Sequence, residues 1–227
     1  MARFTFSMVE EGFDDHINRS IRGYADLCSD VLKFSQYFAE DYVTIVDIGC
    51  STGRMLREIK NQNDEFAPQC QYLGIELEEE FTKDLTNGNN IKYLGQDIRS
   101  LDWSENVKNL NLVISIFTLQ FITKSDRQQI ISRIYDSLLV GGGFIFAEKT
   151  LCEHAQTEEM MTFCYYDWKR QSFSAEQILD KETKLRHMMK PNTYTEVIDM
   201  VKAAGFSVIQ PFWQNFHFAG LMAIKTS

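Results

Sequence analysis

Short apolar runs alternate with amphipathic segments along the first two thirds of the chain. The runs are rich in Val, Ile, Leu and Phe, and they predict buried strands over 43–48, 71–75, 91–94, 112–117 and 143–147. Helical spacing of apolar residues between them predicts helices over 52–60 and 124–139. Near-continuous apolar strands that alternate with helices are typical of a parallel sheet with helices on both faces.

The last third of the chain changes this pattern. It predicts helices over 158–170, 175–189 and 194–204, and a closing strand pair over 206–209 and 216–224. No repeat and no linker rich in Pro, Gly or Ser divides the chain. We therefore predict one α/β domain over 1–227, built on a Rossmann-like, seven-stranded, mostly parallel sheet with an antiparallel C-terminal strand pair. An N-terminal helical cap (1–40) and a helical insert (156–190) complete the prediction.

Charge and composition narrow the class of partner. The formal charge is 23 − 32 = −9, which argues against a protein that mainly binds a polyanion. We expect a small-molecule substrate and no strong direct nucleic-acid binding. Acidic residues at Glu10, Glu11, Asp14 and Asp15 exclude a signal peptide, and no apolar run approaches the ~20 residues of a membrane span. Five widely spaced cysteines predict free thiols in a reducing, cytoplasmic compartment.

The loop after the first strand reads Asp47-Ile48-Gly49-Cys50-Ser51-Thr52-Gly53-Arg54. Two glycines at a strand-to-helix junction let the backbone turn tightly and approach a ligand. The dinucleotide pattern G-x-G-x-x-G fails at Ser51 and Arg54, and the phosphate-loop pattern fails because Arg54, not lysine, follows Gly53. The form D-x-G-x-x-x-G fits S-adenosylmethionine (SAM), a cationic, phosphate-free ligand.

Acidic residues follow the next two strands. Glu76 ends the second strand, 76 − 53 = 23 residues past Gly53, where it can accept hydrogen bonds from ribose hydroxyls. Asp97 follows the third strand, where it can accept from the adenine amino group. Each acid alone is an ordinary helix-start or loop residue. Together with the glycine loop, at successive strand ends, they predict SAM as the cofactor. Phe117, after the fourth strand, reaches the same edge.

Several motifs resemble one family within the class I SAM-dependent methyltransferases, the carboxy-S-adenosylmethionine synthases of tRNA wobble-uridine modification. Residues 15–24 resemble its D-x-I-x-R-S-x-P-x-Y segment, with Arg22 in place of proline. Further matches are Gly49-Cys50-Ser51, Asp97-Ile98-Arg99, the F-T-L-Q-F motif at 117–121, Glu148-Lys149, 167–170 and 212–225. The likeness runs almost end to end.

The resemblance implies a SAM site and a homodimer. The site would be lined by Tyr24, Gly49, Cys50, Ser51, Glu76, Leu77, Asp97 and Ile98. In that family's reaction, prephenate supplies a carboxyl group to a sulfonium ylide and leaves as phenylpyruvate. An anionic substrate beside SAM requires cations, for which Arg19, Arg22 and Arg54 are the candidates.

Two departures from the family pattern bear on the reaction. Ile116 stands where the family has asparagine. The arginine by which the family holds the extra carboxylate of carboxy-SAM aligns with Glu182, or with Thr183 without a gap, and a carboxylate there would repel that group. Lys181, Lys184 and Arg186 are near enough to replace it. We therefore predict a SAM-dependent methyltransferase with an unknown acceptor, carboxy-SAM synthesis being the alternative and a non-catalytic SAM-binding protein a third hypothesis.

Catalysis of methyl transfer rests mainly on holding the acceptor in line with the methyl group, so a base is needed only if the acceptor must lose a proton. The sequence offers four candidate bases and does not choose among them: Glu148, Asp15, His16 and His217. No metal site is predicted, because the histidines and cysteines lack ligand spacing.

Overall fold

The computed structural model describes residues 12–227, and the strands of that range form one mixed sheet. Its strands are β1 (Thr44–Ile48), β2 (Gln71–Glu76), β3 (Ile91–Gly95), β4 (Leu110–Ile116), β5 (Leu138–Leu151), β6 (Asn192–Thr193), β7 (Val208–Asn215) and β8 (Phe218–Ile224). The main path runs β3-β2-β1-β4-β5-β8-β7, and the two-residue β6 pairs with the end of β5. β1 to β5 are parallel, whereas β8 is antiparallel to β5 and β7. The predicted fold class is confirmed.

The helices of the described range follow the predicted pattern with shifted ends. They are α1 (Phe13–Ser20), α2 (Tyr24–Ser35), α3 (Arg54–Asn63), α4 (Glu79–Thr82), α5 (Trp103–Asn106), α6 (Lys124–Ser137), α7 (Ala155–Lys169), α8 (Ala175–Leu185) and α9 (Tyr194–Ala203). α3 starts two residues later than predicted, because Gly53 occupies its N-cap with φ +72°. The short α4 and α5 were not predicted. A capping box of Ser174 and Gln177 begins α8.

Two apolar clusters cover the two faces of the sheet. Ile45 of β1 belongs to the cluster that contains Leu27 of α2 and Leu56 of α3. The next residue, Val46, belongs to the opposite cluster, with Ile130 of α6. Successive strand residues point to opposite faces, so a strand buried on both sides reads as a continuous apolar run. This is why β1 could be recognised from its composition.

The strand order reverses direction between β1 and β4, which are hydrogen-bonded neighbours. Loops leaving the carboxyl ends of these two strands diverge, and ligands bind in the crevice between them. Of the helices in residues 12–227, none combines the length and apolar character needed to cross a bilayer. Glu10, Glu11 and the first part of the predicted cap lie outside the described residues, and the division into cap, sheet domain and insert stays a prediction.

Candidate functional site

A cavity of about 470 Å³ opens at the carboxyl edge of the sheet. The β1–β3 side contributes residues from the loops after these strands, among them Gly49, Ser51, Glu76 and Asp97. The β5 side contributes Lys149, together with residues of α7 and α8. Because β3 and β5 lie on opposite sides of β1 in the sheet, the cavity has two chemically different ends.

The glycine loop is held in place by backbone contacts with β2. Gly49 N and Cys50 N donate to Ile75 O at 2.7 Å and 3.2 Å, and Ser51 N donates to Glu76 Oε2 at 2.8 Å. The loop needs left-handed backbone at Gly49 (φ +74°) and at Ser51 (φ +49°). A positive φ is costly for a residue with a Cβ, such as Ser51. The contacts with β2 must therefore stabilise the loop in this conformation.

Glu76 and Asp97 both line the β1–β3 end of the cavity, and the pKa values of their carboxyl groups are shifted in opposite directions. Glu76 is buried, and its second oxygen accepts from Glu78 N at 2.9 Å. Burial raises its pKa, although these backbone hydrogen bonds oppose the shift. Asp97 receives hydrogen bonds from Arg99 Nη2 at 2.6 Å and from Arg99 N at 2.9 Å, which lower its pKa. Both carboxylates keep lone pairs for additional donors.

The β5 end of the cavity carries an excess of positive charge. Lys149, Lys169 and Lys181 line it, together with a single carboxylate, Glu182. Lys149 Nζ lies 3.9 Å from Glu182 Oε2, so that carboxylate is already paired. Lys169 is 2% exposed. At this end of the cavity the three lysines outnumber the one carboxylate, which favours the binding of an anionic ligand there.

Lys181 is the most perturbed of these cations. Its ammonium donates to Ser20 Oγ at 3.2 Å and is hydrogen-bonded to His16 Nε2. Burial and the nearby charge of Lys169 lower its pKa to about 7. Burial and the charge of Lys181 also lower the pKa of His16 to about 4, so His16 is neutral near pH 7 and can serve as a partner for Lys181.

Comparison with known proteins identifies the family to which this chain belongs. Residues 45–142 match the model described as "Methyltransferase domain". The carboxy-S-adenosyl-L-methionine synthase of Staphylococcus epidermidis is 30% identical over 226 residues, covering 98% of this chain and 96% of that protein. The synthase of Shewanella pealeana is 30% identical over 222 residues, covering 94% and 88%. The chain belongs to the carboxy-S-adenosyl-L-methionine synthase family. It is a SAM-dependent enzyme, and SAM is its cofactor.

Solved structures agree with the fold of this carboxy-SAM synthase family member. Human N-acetylserotonin methyltransferase in complex with SAM superposes with a TM-score of 0.60 at 16% identity, covering 90% of this chain and 53% of that one. A chain from the complex between the Haloferax volcanii Trm112 methyltransferase activator and the putative methyltransferase gives 0.63 at 14% identity, covering all of both chains. These likenesses support the fold alone.

The residues of this family member fit SAM on chemical grounds. Seven of the eleven predicted cofactor residues line the cavity, namely Gly49, Ser51, Glu76, Leu77, Asp97, Ile98 and Phe117. A Cβ on Gly49 would lie 2.2 Å from Thr118 Oγ1, so only glycine fits at this position without displacing Thr118. The carboxylates of Glu76 and Asp97 suit hydroxyl and amino donors, as a phosphate-free cofactor requires.

The other four predicted cofactor residues lie beside the cavity rather than along it. Asp47 is buried in β1, where burial and the charge of Glu76 raise its pKa to about 7. The ring of Tyr24 packs 6.2 Å from that of Phe117, between centroids. Cys50 points at Gly74, where an added Cβ would lie 2.8 Å from its Sγ. Gly53 caps α3. Direct SAM contact by these four stays a prediction.

Of the four candidate bases, His16 lines the cavity. Glu148 is buried behind it, where its carboxylate accepts from Leu119 N at 3.0 Å and burial raises its pKa to about 8. Asp15 is exposed on α1. His217 is buried against Glu158, with 3.2 Å between Nε2 and Oε1. The tertiary structure therefore brings only His16 of this set to the lining of the cavity.

The predicted substrate arginines are also outside the cavity lining. Arg19 and Arg22 are exposed, and their guanidinium carbons lie over the rings of Phe173 at 5.3 Å and Phe216 at 5.4 Å. Of the basic residues named as replacements for the family's arginine, Lys181 lines the cavity, whereas Lys184 and Arg186 do not. Lys149 and Lys169 were missed. Lys149 belongs to the E-K match and Lys169 to the match at 167–170, so the resemblance carried a signal for both. No local spacing relates two residues so far apart in sequence.

Proposed function

We propose that this enzyme is a carboxy-SAM synthase, which converts SAM and prephenate to carboxy-SAM, phenylpyruvate and water. The observation that carries the proposal is the charge of the β5 end, where three lysines face the cavity beside one paired glutamate. Methyl transfer to a neutral acceptor gains nothing from such a pocket, whereas a substrate with two carboxylates is held by it. The names of the two relatives point the same way.

The chain's own residues have distinct tasks in this proposal. Glu76 and Asp97 would hold the sugar and the base of SAM, which orients the cofactor in the cavity. Lys149, Lys169 and Lys181 hold the carboxylates of prephenate. Holding two reactants together converts a bimolecular step into an effectively unimolecular one. The step balances between the two reactants: the methyl group of SAM would lose a proton and gain the carboxyl group, while prephenate would lose that carboxyl group and its hydroxide, which takes up the methyl proton and leaves as water.

Aromatic side chains surround the reacting groups in the proposed site. Phe117, Tyr165 and Phe218 all line the cavity, and the rings of Phe117 and Phe218 meet edge to face at 5.5 Å. An apolar wall beside the lysines excludes water, which strengthens charge–charge interactions. SAM, when bound, supplies the methyl carbon that accepts the carboxyl group.

Methyl transfer to a small-molecule acceptor is the second candidate, and two observations favour it. Ile116 lines the cavity where the family's asparagine would stand, so an amide is lost from the site. Glu182 also lines it, and it brings a negative charge to the position of the carboxylate-binding arginine. The pairing of Glu182 with Lys149 reduces the repulsion that this carboxylate would exert on an anion.

One incubation separates the two functions. Purified enzyme is supplied with SAM and prephenate, and the products are followed by mass spectrometry. Carboxy-SAM synthesis predicts a SAM species heavier by the mass of CO₂ and an equal amount of phenylpyruvate. Absence of both products, with binding of SAM retained in calorimetry, would reject the synthase and leave methyl transfer. Failure to bind SAM would reject both.

A charge change at Glu182 sharpens this test. Glu182→Arg restores the family's guanidinium, so we expect it to lower the KM for prephenate by about tenfold, the size of one charge-assisted hydrogen bond. Glu176→Arg on the same helix is the matched control, since Glu176 is exposed and does not line the cavity. An unchanged KM in Glu182→Arg would mean that this position does not contact the substrate.

We also propose that the enzyme is a homodimer acting in tRNA modification, as its family does. Support for self-association comes from α7, where Met160 and Phe163 are 60% and 59% exposed. Light scattering during size-exclusion chromatography tests the dimer, and a monomeric mass would reject it.

A further inference from the structure

Three potential metal ligands from separate elements meet beyond the end of β5. Cys152 directly follows β5, Glu158 lies in α7, and His217 lies in the turn between β7 and β8. One ligand atom from each, the Sγ, a carboxylate oxygen and a ring nitrogen, lies within 4.8 Å of the other two. None of the three lines the cavity, so this cluster is separate from the proposed active site.

The imidazole of His217 lacks the hydrogen bonds that a buried ring needs. The residue is 3% exposed, and neither ring nitrogen has a hydrogen-bond partner among the described residues. Nε2 lies 3.2 Å from Glu158 Oε1, the distance of an ion pair, and Nδ1 has no partner among the described residues. Buried polar groups are almost always satisfied. An imidazole nitrogen and a carboxylate oxygen at this distance can both act as ligands of a cation placed between them.

We propose that Cys152, Glu158 and His217 bind a zinc ion. Thiolate, imidazole and carboxylate are the three ligand types that zinc takes in proteins, at about 2.0–2.3 Å. Two such N and O ligands at tetrahedral angles lie about 3.3 Å apart, close to the 3.2 Å between Nε2 and Oε1. The site has three protein ligands, and its fourth position is open to water because Cys152 and Glu158 are only partly buried.

The surrounding hydrogen bonds hold the ligands in position. Glu158 Oε2 accepts from Cys152 N at 2.8 Å, which leaves Oε1 directed toward His217. The backbone of His217 is fixed by Thr150, whose N and Oγ1 donate to His217 O at 2.7 Å and 3.0 Å. Such outer contacts orient metal ligands and raise affinity. Bound zinc would join β5, α7 and the β7–β8 turn three residues from the cavity lysine Lys149.

Sequence spacing does not reveal this site, and it predicts no metal ligands. The ligands are separated by 158 − 152 = 6 and 217 − 158 = 59 residues, which matches no compact zinc motif. Only the antiparallel return of β8 along β5 brings the turn at His217 to Cys152.

Metal content tests the proposal directly. Full-length untagged protein is loaded with zinc and freed of excess metal by gel filtration. Its zinc content per chain is then measured by inductively coupled plasma mass spectrometry. We expect about one zinc per chain for the wild type and for the control Cys164→Ser, and less than about a tenth for Cys152→Ser and His217→Asn. Cys164 is an exposed thiol on the same helix as Glu158. Wild-type protein without zinc, or equal zinc in Cys152→Ser, would overturn the proposal.

Cobalt gives a second readout that is independent of activity. Co²⁺ at the site should show the charge-transfer absorption of a thiolate ligand, retained in Cys164→Ser and lost in Cys152→Ser. Circular dichroism establishes that each variant is folded, and Glu158→Gln replaces His217→Asn if the latter is not. A charge-transfer band that survives in Cys152→Ser would assign the metal to another thiol and reject this ligand set.

Discussion

Thr118 packs directly over Gly49, so that a Cβ at position 49 would lie 2.2 Å from Thr118 Oγ1. The same hydroxyl donates to Ile48 O at 2.9 Å. This contact joins the glycine loop after β1 to the F-T-L-Q-F motif after β4, the two segments that flank the crevice of the sheet. The conformation of the glycine loop therefore depends on the F-T-L-Q-F motif, and this dependence is not visible in the sequence of either motif.

Gly49→Ala should weaken SAM binding. The methyl group cannot be accommodated without moving Thr118, and overpacking of this kind costs about 1–3 kcal/mol, so we expect the Kd for SAM in calorimetry to rise by roughly fivefold to a hundredfold. Gly141→Ala is the matched control, because Gly141 also has positive φ (+89°) but nothing lies within 4 Å of its added Cβ. Equal SAM affinity in the two variants would contradict the role of the Gly49–Thr118 contact.

Glu76→Gln should weaken SAM binding without unfolding the protein. The carboxylate accepts from Ser51 N and Glu78 N, and an amide has only one oxygen to offer. A hydrogen bond to a charged group contributes about 1.5–3 kcal/mol, which predicts a rise of about tenfold to a hundredfold in Kd. Glu79→Gln, at an exposed position of α4, should leave the Kd unchanged. If Glu76→Gln binds SAM with the wild-type Kd, the Glu76 carboxylate does not contribute to SAM binding.

The lysines of the β5 end should control the affinity for the anionic substrate and not for SAM. Lys149→Met and Lys169→Met each keep an unbranched side chain, one atom shorter, and remove its charge. We expect the KM for prephenate to rise about tenfold, as for one charged hydrogen bond, with the Kd for SAM unchanged. Lys184→Met, in α8 but outside the cavity lining, provides the comparison. Parallel losses of SAM and prephenate affinity would indicate a general structural defect instead.

Substrate affinity should fall as the pH rises through the pKa of Lys181. Burial and Lys169 place that pKa at about 7, so the ammonium is charged below pH 7 and neutral above it. His16 stays neutral in this range, and Glu182 is the one carboxylate among these neighbours. We expect the KM for prephenate to rise several-fold between roughly pH 6 and pH 9. Lys181→Arg keeps its charge and should flatten the profile; an unchanged profile would assign the pH dependence elsewhere.

Stability should show the opposite pH trend at the same residue. The unfolded chain keeps Lys181 protonated up to about pH 10.4, whereas the folded chain releases this proton near 7. The unfolded state thus binds more protons between these values, and the free energy of unfolding rises with pH across that range. Lys181→Met should lose this part of the rise in urea titrations, and a rise of the same size in that variant would contradict the assignment.

The amino-acid sequence by itself determined the fold and the residues at the end of the cavity that we assign to SAM. β1 and β4 are buried on both faces and read as continuous apolar runs, and parallel strands bring the residues that follow them to one edge. Gly49, Glu76 and Asp97 are therefore placed by their position after a strand, and strand ends are visible in the sequence.

Only the tertiary structure decided which charged side chains line the β5 end of the cavity. Glu148 lies near the carboxyl end of β5, yet its side chain turns away to Leu119, while Lys149 beside it lines the cavity. Lys169 and Lys181 lie on helices of the insert, and Arg19 lies on α1 against Phe173. The direction of these side chains depends on how α1, α7 and α8 pack over the sheet. Packing between segments distant in sequence leaves no local period, so the charge of the substrate end became visible only in the folded chain.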